Sequence, residues 1–224
     1  MSEIKQRIDA VRRRIEEAAA RAGRKPSSVQ LVAVSKRQSA QAIREAYACG
    51  LRDFGENYVQ ELMSKAQELE DLPELRWHLI GHLQTNKAKP VARLAHYVHT
   101  IDNERIAAEL SNRAKQEHQQ VGAYVEINIA QEPQKSGCLP LEAAALVERV
   151  RTTPNLVFVG LMTVGKLVDS PEAARETFVR LRQLRDIVAP GAALSMGMSA
   201  DFEVAIEEGA TCVRVGTAIF GERG

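Results

Sequence analysis

The N-terminal segment has the apolar spacing of an amphipathic helix. Apolar residues recur at alternating intervals of four and three from Ile4 to Ala22, within an otherwise charged stretch. Gly23 and Pro26 then end the pattern. Such a stripe suits either a coiled-coil partner or the chain's own core. We expect the second, a helix within residues 1–23 that packs outside the main fold.

After this helix, apolar runs of strand length alternate with stretches of helical periodicity. The run V-Q-L-V-A-V-S-K at 29–36 is typical of a strand buried on both faces. Ser39 and Asp102 are predicted to cap the helices that follow the first and fourth strands. Predicted strands cover 29–36, 52–54, 76–80, 97–101, 123–129, 156–162, 192–196 and 212–215, and predicted helices cover about 40–49, 57–70, 84–94, 103–119, 141–152, 170–189 and 199–208, with a short last turn after 217.

This alternation predicts the fold class. Eight strands, each followed by a helix, without an interruption large enough for a second domain, favour an α/β fold. We expect a single (β/α)8 TIM-type barrel domain over residues 1–224, with the N-terminal helix as an addition. An open doubly wound sheet is the alternative. It is less favoured because no G-x-G-x-x-G follows the first strand.

Composition narrows the class of protein. The formal net charge is +1, and this does not indicate nucleic acid or an anionic membrane as partner. No apolar run approaches the ~18–20 residues of a spanning helix, and the first residues lack the features of a signal or transit peptide. Cys49, Cys138 and Cys212 are far apart and odd in number, which is typical of reduced thiols. We expect a cytoplasmic monomer.

Lys36 is the first candidate for chemistry. With a period of two it shares a strand face with Val32 and Val34, and this directs its amine toward the interior of the sheet. Burial there would lower the pKa of the amine, as a Schiff-base nucleophile requires. The alternative is a lysine whose stem lies on apolar surface and whose charge reaches solvent.

The segments after the seventh and eighth strands suit a phosphate. S-M-G-M-S runs through Gly197 to Ser199, which is expected to open a helix, and V-G-T-A holds Gly216 and Thr217. Helix N-termini and glycine turns present unpaired N–H groups to an anion, and barrels often bind phosphate here. An ordinary N-cap and an ordinary turn would also explain either segment alone.

Arg214 and two histidines complete the candidates. An arginine that points into a barrel needs an acceptor, either a carboxylate such as Glu126 or an atom of a ligand. His78 and His82 lie near the end of the third strand. Because L-I-G separates them on a strand end and not on a helix, we do not expect a metal site. Lys135 lies in a loop that we interpret as solvated.

Several motifs together resemble one family. They are L-V-A-V-S-K ending at Lys36, F-G-E-N-Y at 54–58, W-H-L-I-G-H-L-Q-x-N-K at 77–87, G-L-M-T at 160–163, S-M-G-M-S-x-D at 195–201 and V-R-V-G-T-A-I-F-G at 213–221. The set, which covers nearly the whole chain, resembles the pyridoxal phosphate homeostasis proteins, also called the proline synthase co-transcribed type, and is similar to the barrel domain of alanine racemases.

The resemblance implies a cofactor and a set of roles. Pyridoxal 5'-phosphate would be held as an internal aldimine on Lys36, and Arg214 would face its pyridine nitrogen. Asn57 would lie near the ring and its phenolic oxygen. Ser199, Gly216 and Thr217 would bind the phosphate, and His78, His82 and Met162 would line the pocket.

The resemblance also implies a function without a defined reaction, in the supply of the cofactor, with apo-enzymes that receive it as partners. The chemistry of the residues agrees with low turnover. Arginine cannot usefully protonate the pyridine nitrogen, so the ring is a weak electron sink. Racemisation needs acid/base groups on both faces, and alanine racemases take one from a second domain, which we do not expect in this chain. An amino-acid racemase and a cofactor-free lysine aldolase remain alternatives.

Overall fold

Eight parallel strands form a closed barrel in chain order, because β1 pairs with both β2 and β8 in the computed structural model. The structure describes residues 2–165 and 170–221, so the two ends of the predicted 1–224 domain lie outside the described residues. The TIM-type barrel prediction is confirmed. The strands are β1 (Gln30–Val34), β2 (Asp53–Glu56), β3 (Arg76–Leu79), β4 (Tyr97–Ile101), β5 (Val121–Glu126), β6 (Leu156–Met162), β7 (Ala193–Met198) and β8 (Cys212–Val215).

Helices surround the barrel and cover the outward faces of the strands with apolar side chains. They are α1 (Glu3–Arg21), α2 (Ala40–Ala48), α3 (Val59–Glu68), α4 (Ala88–Leu94), α5 (Glu104–Gln116), α6 (Ala143–Thr152), α7 (Arg175–Val188), α8 (Phe202–Glu207) and α9 (Thr217–Phe220). A 3-10 turn at Thr85–Lys87 occupies the start of the helix that we expected over 84–94.

The apolar stripe of α1 is buried against the outside of the barrel. Ile8, Val11 and Ile15 are buried, and the helix packs chiefly on α8, α9 and α2. Arg14 binds Glu203 of α8 at 2.6 Å, so an ion pair borders the apolar contact. The helix therefore lies beside the two elements that follow β7 and β8.

Other local expectations also differ from the structure, and β1 ends at Val34, two residues before Lys36. Asn103, and not Asp102, caps α5, because its Oδ1 accepts a hydrogen bond from Ile106 N at 2.9 Å. Strand β5 covers Val121–Glu126 and stops short of the apolar residues at 127 and 129, which are buried in the following loop. Helix α8 begins at Phe202 and not near Ser199, because β7 continues to Met198 and a turn follows. Ser39 caps α2 as predicted, by accepting from Ala42 N.

Candidate functional site

Five of the predicted site residues lie at or just after the carboxyl ends of strands at one rim of the barrel. Lys36 lies two residues beyond β1, Asn57 directly follows β2, and Met162 is the last residue of β6. Ser199 directly follows β7, and Gly216 directly follows β8. Because all eight strands are parallel, these ends share one rim, which is where barrel enzymes build their sites.

A buried polar group on the outside of the barrel wall holds the loop that carries Lys36. We call Ser35, Glu56, Glu61 and Lys65 the outer cluster. Ser35 donates from Oγ to Glu56 Oε1 at 2.7 Å, and Lys65 Nζ donates to Ser35 O at 2.7 Å. On the other side of Lys36, the backbone N–H of Arg37 donates to Glu61 Oε2 at 2.6 Å. Both neighbours of Lys36 are thus fixed.

Lys65 is the cation of the outer cluster. Its Nζ lies 2.8 Å from Glu56 Oε1 and 2.8 Å from Glu61 Oε2, and its side chain is only 8% exposed. Burial raises the pKa of Glu56, although hydrogen bonds from Lys65 and Ser35 act in the opposite direction. Since Glu56 Oε2 is buried without a hydrogen-bond partner among the described residues, Lys65 is the main compensation for this carboxylate.

The segments after β7 and β8 converge on one hydroxyl group. Ser199 Oγ accepts hydrogen bonds from Gly216 N at 3.0 Å and from Ala218 N at 3.4 Å. The hydroxyl proton therefore remains available for an acceptor outside this pair. A Cβ on Gly216 would lie 3.2 Å from Val34 O, so a side chain there would crowd the end of β1.

Gly197 allows β7 to approach α8 closely. Its φ is +92°, and a Cβ there would lie 2.6 Å from the Cβ of Ala205. Asp201 accepts a hydrogen bond from Met198 N at 2.7 Å and closes the turn that carries Ser199. The geometry of the hydroxyl and the two N–H groups thus depends on the packing of α8.

Arg214 is buried inside the barrel with two protein acceptors. Its Nη1 donates to Ser195 Oγ at 2.6 Å, and its Nη2 donates to Thr163 O at 2.9 Å. We had considered Glu126 as its partner, but neither acceptor is a carboxylate. Because a guanidinium group has five N–H donors, three remain beyond these two bonds.

Arg214 is one end of a line of hydrogen bonds that crosses the barrel. We call Asp53, His78, His99, Ser195 and Arg214 the interior chain. His99 Nδ1 lies 2.8 Å from Ser195 Oγ, and His99 Nε2 lies 2.9 Å from His78 Nδ1. His78 Nε2 lies 2.9 Å from Asp53 Oδ1, at the first residue of β2. The interior chain therefore links Asp53, at the amino end of the barrel, to Arg214, beside the rim.

Buried polar atoms without a hydrogen-bond partner among the described residues also include two near the carboxyl ends of β2 and β5. One is Oδ1 of Asn57 and the other is Oε2 of Glu126. Glu126 lies two residues beyond Tyr124, whose ring stacks on His99, so the period of a strand puts both on the interior face. Burial and the negative charge of Asp102 raise the pKa of Glu126 to about 7, against the attraction of Arg214. These atoms are suited to meet a ligand.

His78 of β3 and His82, in the loop after it, have different surroundings. His78, which the resemblance implies would line the pocket, is fully buried in the interior chain, and both of its ring nitrogens face protein atoms. His82 is exposed, and its Nδ1 lies 3.6 Å from Asp102 Oδ2. Lys135 Nζ lies 3.6 Å from Glu132 Oε1. Thr217 is exposed at the start of α9.

Sequence reasoning missed the outer cluster and most of the interior chain. Ser195 was within a quoted motif without a role, and His99 was not considered. A polar residue at an inward position of an apolar strand could have indicated the interior chain. Asp53, His99 and Ser195 all occupy such positions. In residues 2–165 and 170–221, no group of three or more His, Cys, Asp or Glu side chains could hold a metal ion.

No helix in the described part of the chain is both long and apolar enough to cross a membrane.

Comparisons with known proteins identify the family to which this chain belongs. The family model described as "Alanine racemase, N-terminal domain" matches residues 7–224. The curated "Pyridoxal phosphate homeostasis protein" of Pseudomonas aeruginosa is 47% identical over 224 residues, which cover 100% of this chain and 97% of that protein. The structure of PipY of Synechococcus elongatus with PLP bound has a TM-score of 0.84 at 35% identity and covers 98% of this chain and 100% of that one. This chain belongs to the family of pyridoxal phosphate homeostasis proteins.

A more distant structure shares the fold alone. The alanine racemase of Corynebacterium glutamicum has a TM-score of 0.69 at 16% identity, over 96% of this chain and 62% of that one. The racemase is therefore longer than the barrel that the two proteins share.

Proposed function

We propose that this chain binds pyridoxal 5'-phosphate at the carboxyl rim of its barrel and serves the homeostasis of that cofactor, with Lys36 as the covalent attachment point. The observation that carries the proposal is the meeting at one rim of a strand-end lysine, a hydroxyl with two convergent N–H groups, and Arg214. The full-length similarity to pyridoxal phosphate homeostasis proteins, one of them solved with PLP bound, supports it.

The donors and acceptors of the rim fit such a ligand. The buried Asn57 Oδ1 has no partner among the described residues and can accept from a polar group of the ring system. Ser199 and Thr217 supply hydroxyl donors for a phosphate, and the N–H group of Gly216 holds the Ser199 hydroxyl in place. Met162 offers an apolar wall, since it is fully buried. We propose that His78 acts through the interior chain, because both of its nitrogens are engaged there.

The residues of the chain favour a binding role over fast catalysis. Bound pyridoxal phosphate supplies an aldehyde for amines and a ring that withdraws electrons. Arg214 donates hydrogen bonds and keeps its own proton, so it does not supply the protonated ring nitrogen that strengthens this withdrawal. We propose that the chain acts as a carrier, that apo-enzymes are the recipients, and that residues 1–224 work as one domain. The cytoplasmic location and the monomeric state stay predictions.

The test is whether a lysine-linked chromophore forms on Lys36. We expect the protein with pyridoxal phosphate to show a visible absorption band that borohydride bleaches, with the label on the peptide that contains Lys36. Lys36→Ala should lose the band entirely and keep the far-UV circular dichroism of the wild type. Lys135→Ala is the matched control and should keep the band. A band retained in Lys36→Ala would refute the attachment point, and a colourless wild type would favour the cofactor-free aldolase.

A racemase-like enzyme is the second candidate, and Glu126 is the observation that favours it. Its partnerless oxygen and a pKa of about 7 suit an acid/base group. With L-alanine in heavy water, we expect no α-proton exchange at enzyme-like turnover, typically ~1–10³ s⁻¹. Fast exchange that disappears in both Lys36→Ala and Glu126→Gln would put the racemase first.

A further inference from the structure

The interior chain has unlike charges at its two ends and neutral groups between them. Asp53 lies at the amino end of β2, where Arg76 Nη2 binds it at 2.7 Å. Burial opposes ionisation of Asp53, yet hydrogen bonds from His78 and Arg76 hold the pKa of its carboxyl below the ordinary value. The other end is Arg214, which is always protonated. One end of the chain can therefore only accept hydrogen bonds, and the other can only donate them.

These ends determine the direction of every bond between them. Arg214 donates to Ser195 Oγ, so the Ser195 hydroxyl proton is free to be donated to His99 Nδ1. His99 must then carry its proton on Nε2 and donate to His78. His78 likewise carries its proton on Nε2 and donates to Asp53. Reversal would require the ionised Asp53 carboxylate to donate a hydrogen bond to His78, which it cannot do.

Burial and aromatic stacking keep the two imidazoles neutral and fixed. Burial lowers the pKa of His78, and it lowers that of His99 further. His78 stacks on Tyr97 with ring centroids 4.5 Å apart, and His99 stacks on Tyr124 at 4.3 Å. Each neutral ring then supplies one donor and one acceptor in a defined plane, so the chain transmits orientation from one end to the other.

We propose that Asp53 is a positioning residue for Arg214: through His78, His99 and Ser195, it fixes the orientation in which the guanidinium faces the cofactor site. The proposal rests on the proposed function, because it takes Arg214 as a partner of the bound cofactor. Thr163 O holds Nη2 at 2.9 Å, so the two bonds together define the plane of the guanidinium group. Loss of the acceptor at Asp53 would leave His78 without its hydrogen-bond partner, so the interior chain would no longer be held at the end opposite Arg214.

The first experiment needs neither a variant nor the cofactor. Nitrogen-15 NMR of the histidine side chains in the cofactor-free wild type should show His78 and His99 neutral, with the proton of each on Nε2. His82, which is exposed, is the internal reference for a solvated histidine. A proton on Nδ1 of either buried ring, or a charged ring at neutral pH, would overturn the proposed direction.

The second experiment compares three variants at the amino end of the barrel. Asp53→Ala removes the acceptor, and Asp53→Asn keeps an acceptor oxygen. Arg76→Gln removes the ion pair on Asp53 and leaves the carboxylate that accepts from His78. We expect Asp53→Ala to raise the Kd for pyridoxal phosphate about tenfold, the scale of one lost hydrogen bond, and to shift the absorption maximum of the bound cofactor. Asp53→Asn should restore most of both, and Arg76→Gln should match the wild type.

The outcomes separate this proposal from the proposed function. If the wild type binds pyridoxal phosphate on Lys36 but Asp53→Ala changes neither the Kd nor the absorption maximum, the positioning role is wrong and the binding function stands. Equal effects of Arg76→Gln and Asp53→Ala would also refute it, since a general loss of stability at that end would then explain both. Should Asp53→Ala fail to fold, Ser195→Ala cuts the chain next to Arg214, and an unchanged spectrum in it would overturn the proposal.

Discussion

The outer cluster and the interior chain are two different ways of burying charge around one rim. In the outer cluster, Lys65 lies 2.8 Å from each of two carboxylates, and opposite charges are in direct contact. In the interior chain, Asp53 and Arg214 are separated by three neutral side chains. The first arrangement surrounds Lys36, and the second ends beside the same rim.

Because the two arrangements bury charge differently, we expect substitutions in them to have different effects. A contact ion pair leaves a full uncompensated charge when one partner is removed, so its loss is costly for folding. A substitution in a chain of neutral hydrogen-bonded side chains removes a hydrogen bond, which costs less stability. It also removes the fixed order of donors and acceptors along the chain. We therefore expect changes in the outer cluster to act chiefly on stability, and changes in the interior chain to act chiefly on the properties of the bound cofactor.

The largest expected effect is that of Lys65→Met. Methionine retains the apolar stem and removes the cation, which leaves Glu56 buried without its ion-pair partner. We expect a loss of about 3–5 kcal/mol in the free energy of unfolding, measured by urea denaturation. The matched control is Lys5→Met, which removes an exposed pair with Asp9 and should cost less than about 1 kcal/mol.

The double variant Lys65→Met with Glu56→Gln sharpens this test. If the cost arises from an uncompensated carboxylate, neutralising Glu56 should recover part of the stability lost in Lys65→Met. Additive losses in the double variant would mean that packing or the bond to Ser35 O, and not charge compensation, dominates the outer cluster.

The fold was predictable because its evidence lies in local patterns. Period-two apolar runs and glycine or proline boundaries gave all eight strands near their observed positions. The errors occur where tertiary contacts override the pattern. The apolar residues after Glu126 read as strand, but Asn128 N bonds to Cys138 O, and Asn128 side-chain bonds close the loop. Turn formation beyond Met198 likewise delays α8.

The candidate site was predictable only where a residue stands out alone. Lys36 and the glycine segments follow strand ends, so their position in the chain suffices to single them out. The interior chain depends on which inward residues meet across the barrel: His99 and Ser195 are 96 positions apart. No local pattern specifies that pairing. Lys65 was hidden for a related reason, because on a charged helix such as α3 a lysine reads as solvent-facing.

Glu126 provides a second test, because it is a buried carboxyl without the lysine that Glu56 has. Burial and Asp102 raise its pKa from an ordinary value of 4.5 to about 7. A carboxyl with a raised folded-state pKa favours the folded state fully below its unfolded pKa, and this contribution is lost as the pH rises through about 7. Glu126→Gln should therefore match the pH trend of the wild type below about 4.5 and become relatively more stable above it.

The measurement is the difference in unfolding free energy between wild type and Glu126→Gln across pH 4 to 8, roughly the range set by the two pKa values. The interval from 4.5 to about 7 corresponds to a change of up to about 3 kcal/mol in that difference. A difference that does not vary with pH would show that Glu126 is not a strained carboxyl. Burial of Glu126 without a cation would then cost no more stability than burial of the ion-paired Glu56 in the outer cluster.

The smallest expected effects concern the rim itself, where hydrogen bonds and not buried charges are at stake. Ser199→Ala removes the hydroxyl on which Gly216 N and Ala218 N converge, and Thr217→Val removes an exposed hydroxyl beside them. Hydrogen bonds to a charged phosphate contribute about 1.5–3 kcal/mol, so each variant should weaken pyridoxal phosphate binding by roughly ten- to a hundred-fold with little change in stability.

Thr152→Val, an exposed threonine of α6, is the control and should bind like the wild type. Equilibrium dialysis measures the affinities. Wild-type retention by both Ser199→Ala and Thr217→Val would remove the phosphate role from this part of the rim, while a large loss of stability in Ser199→Ala would mean that its hydroxyl serves the fold, as Lys65 does, and not a ligand.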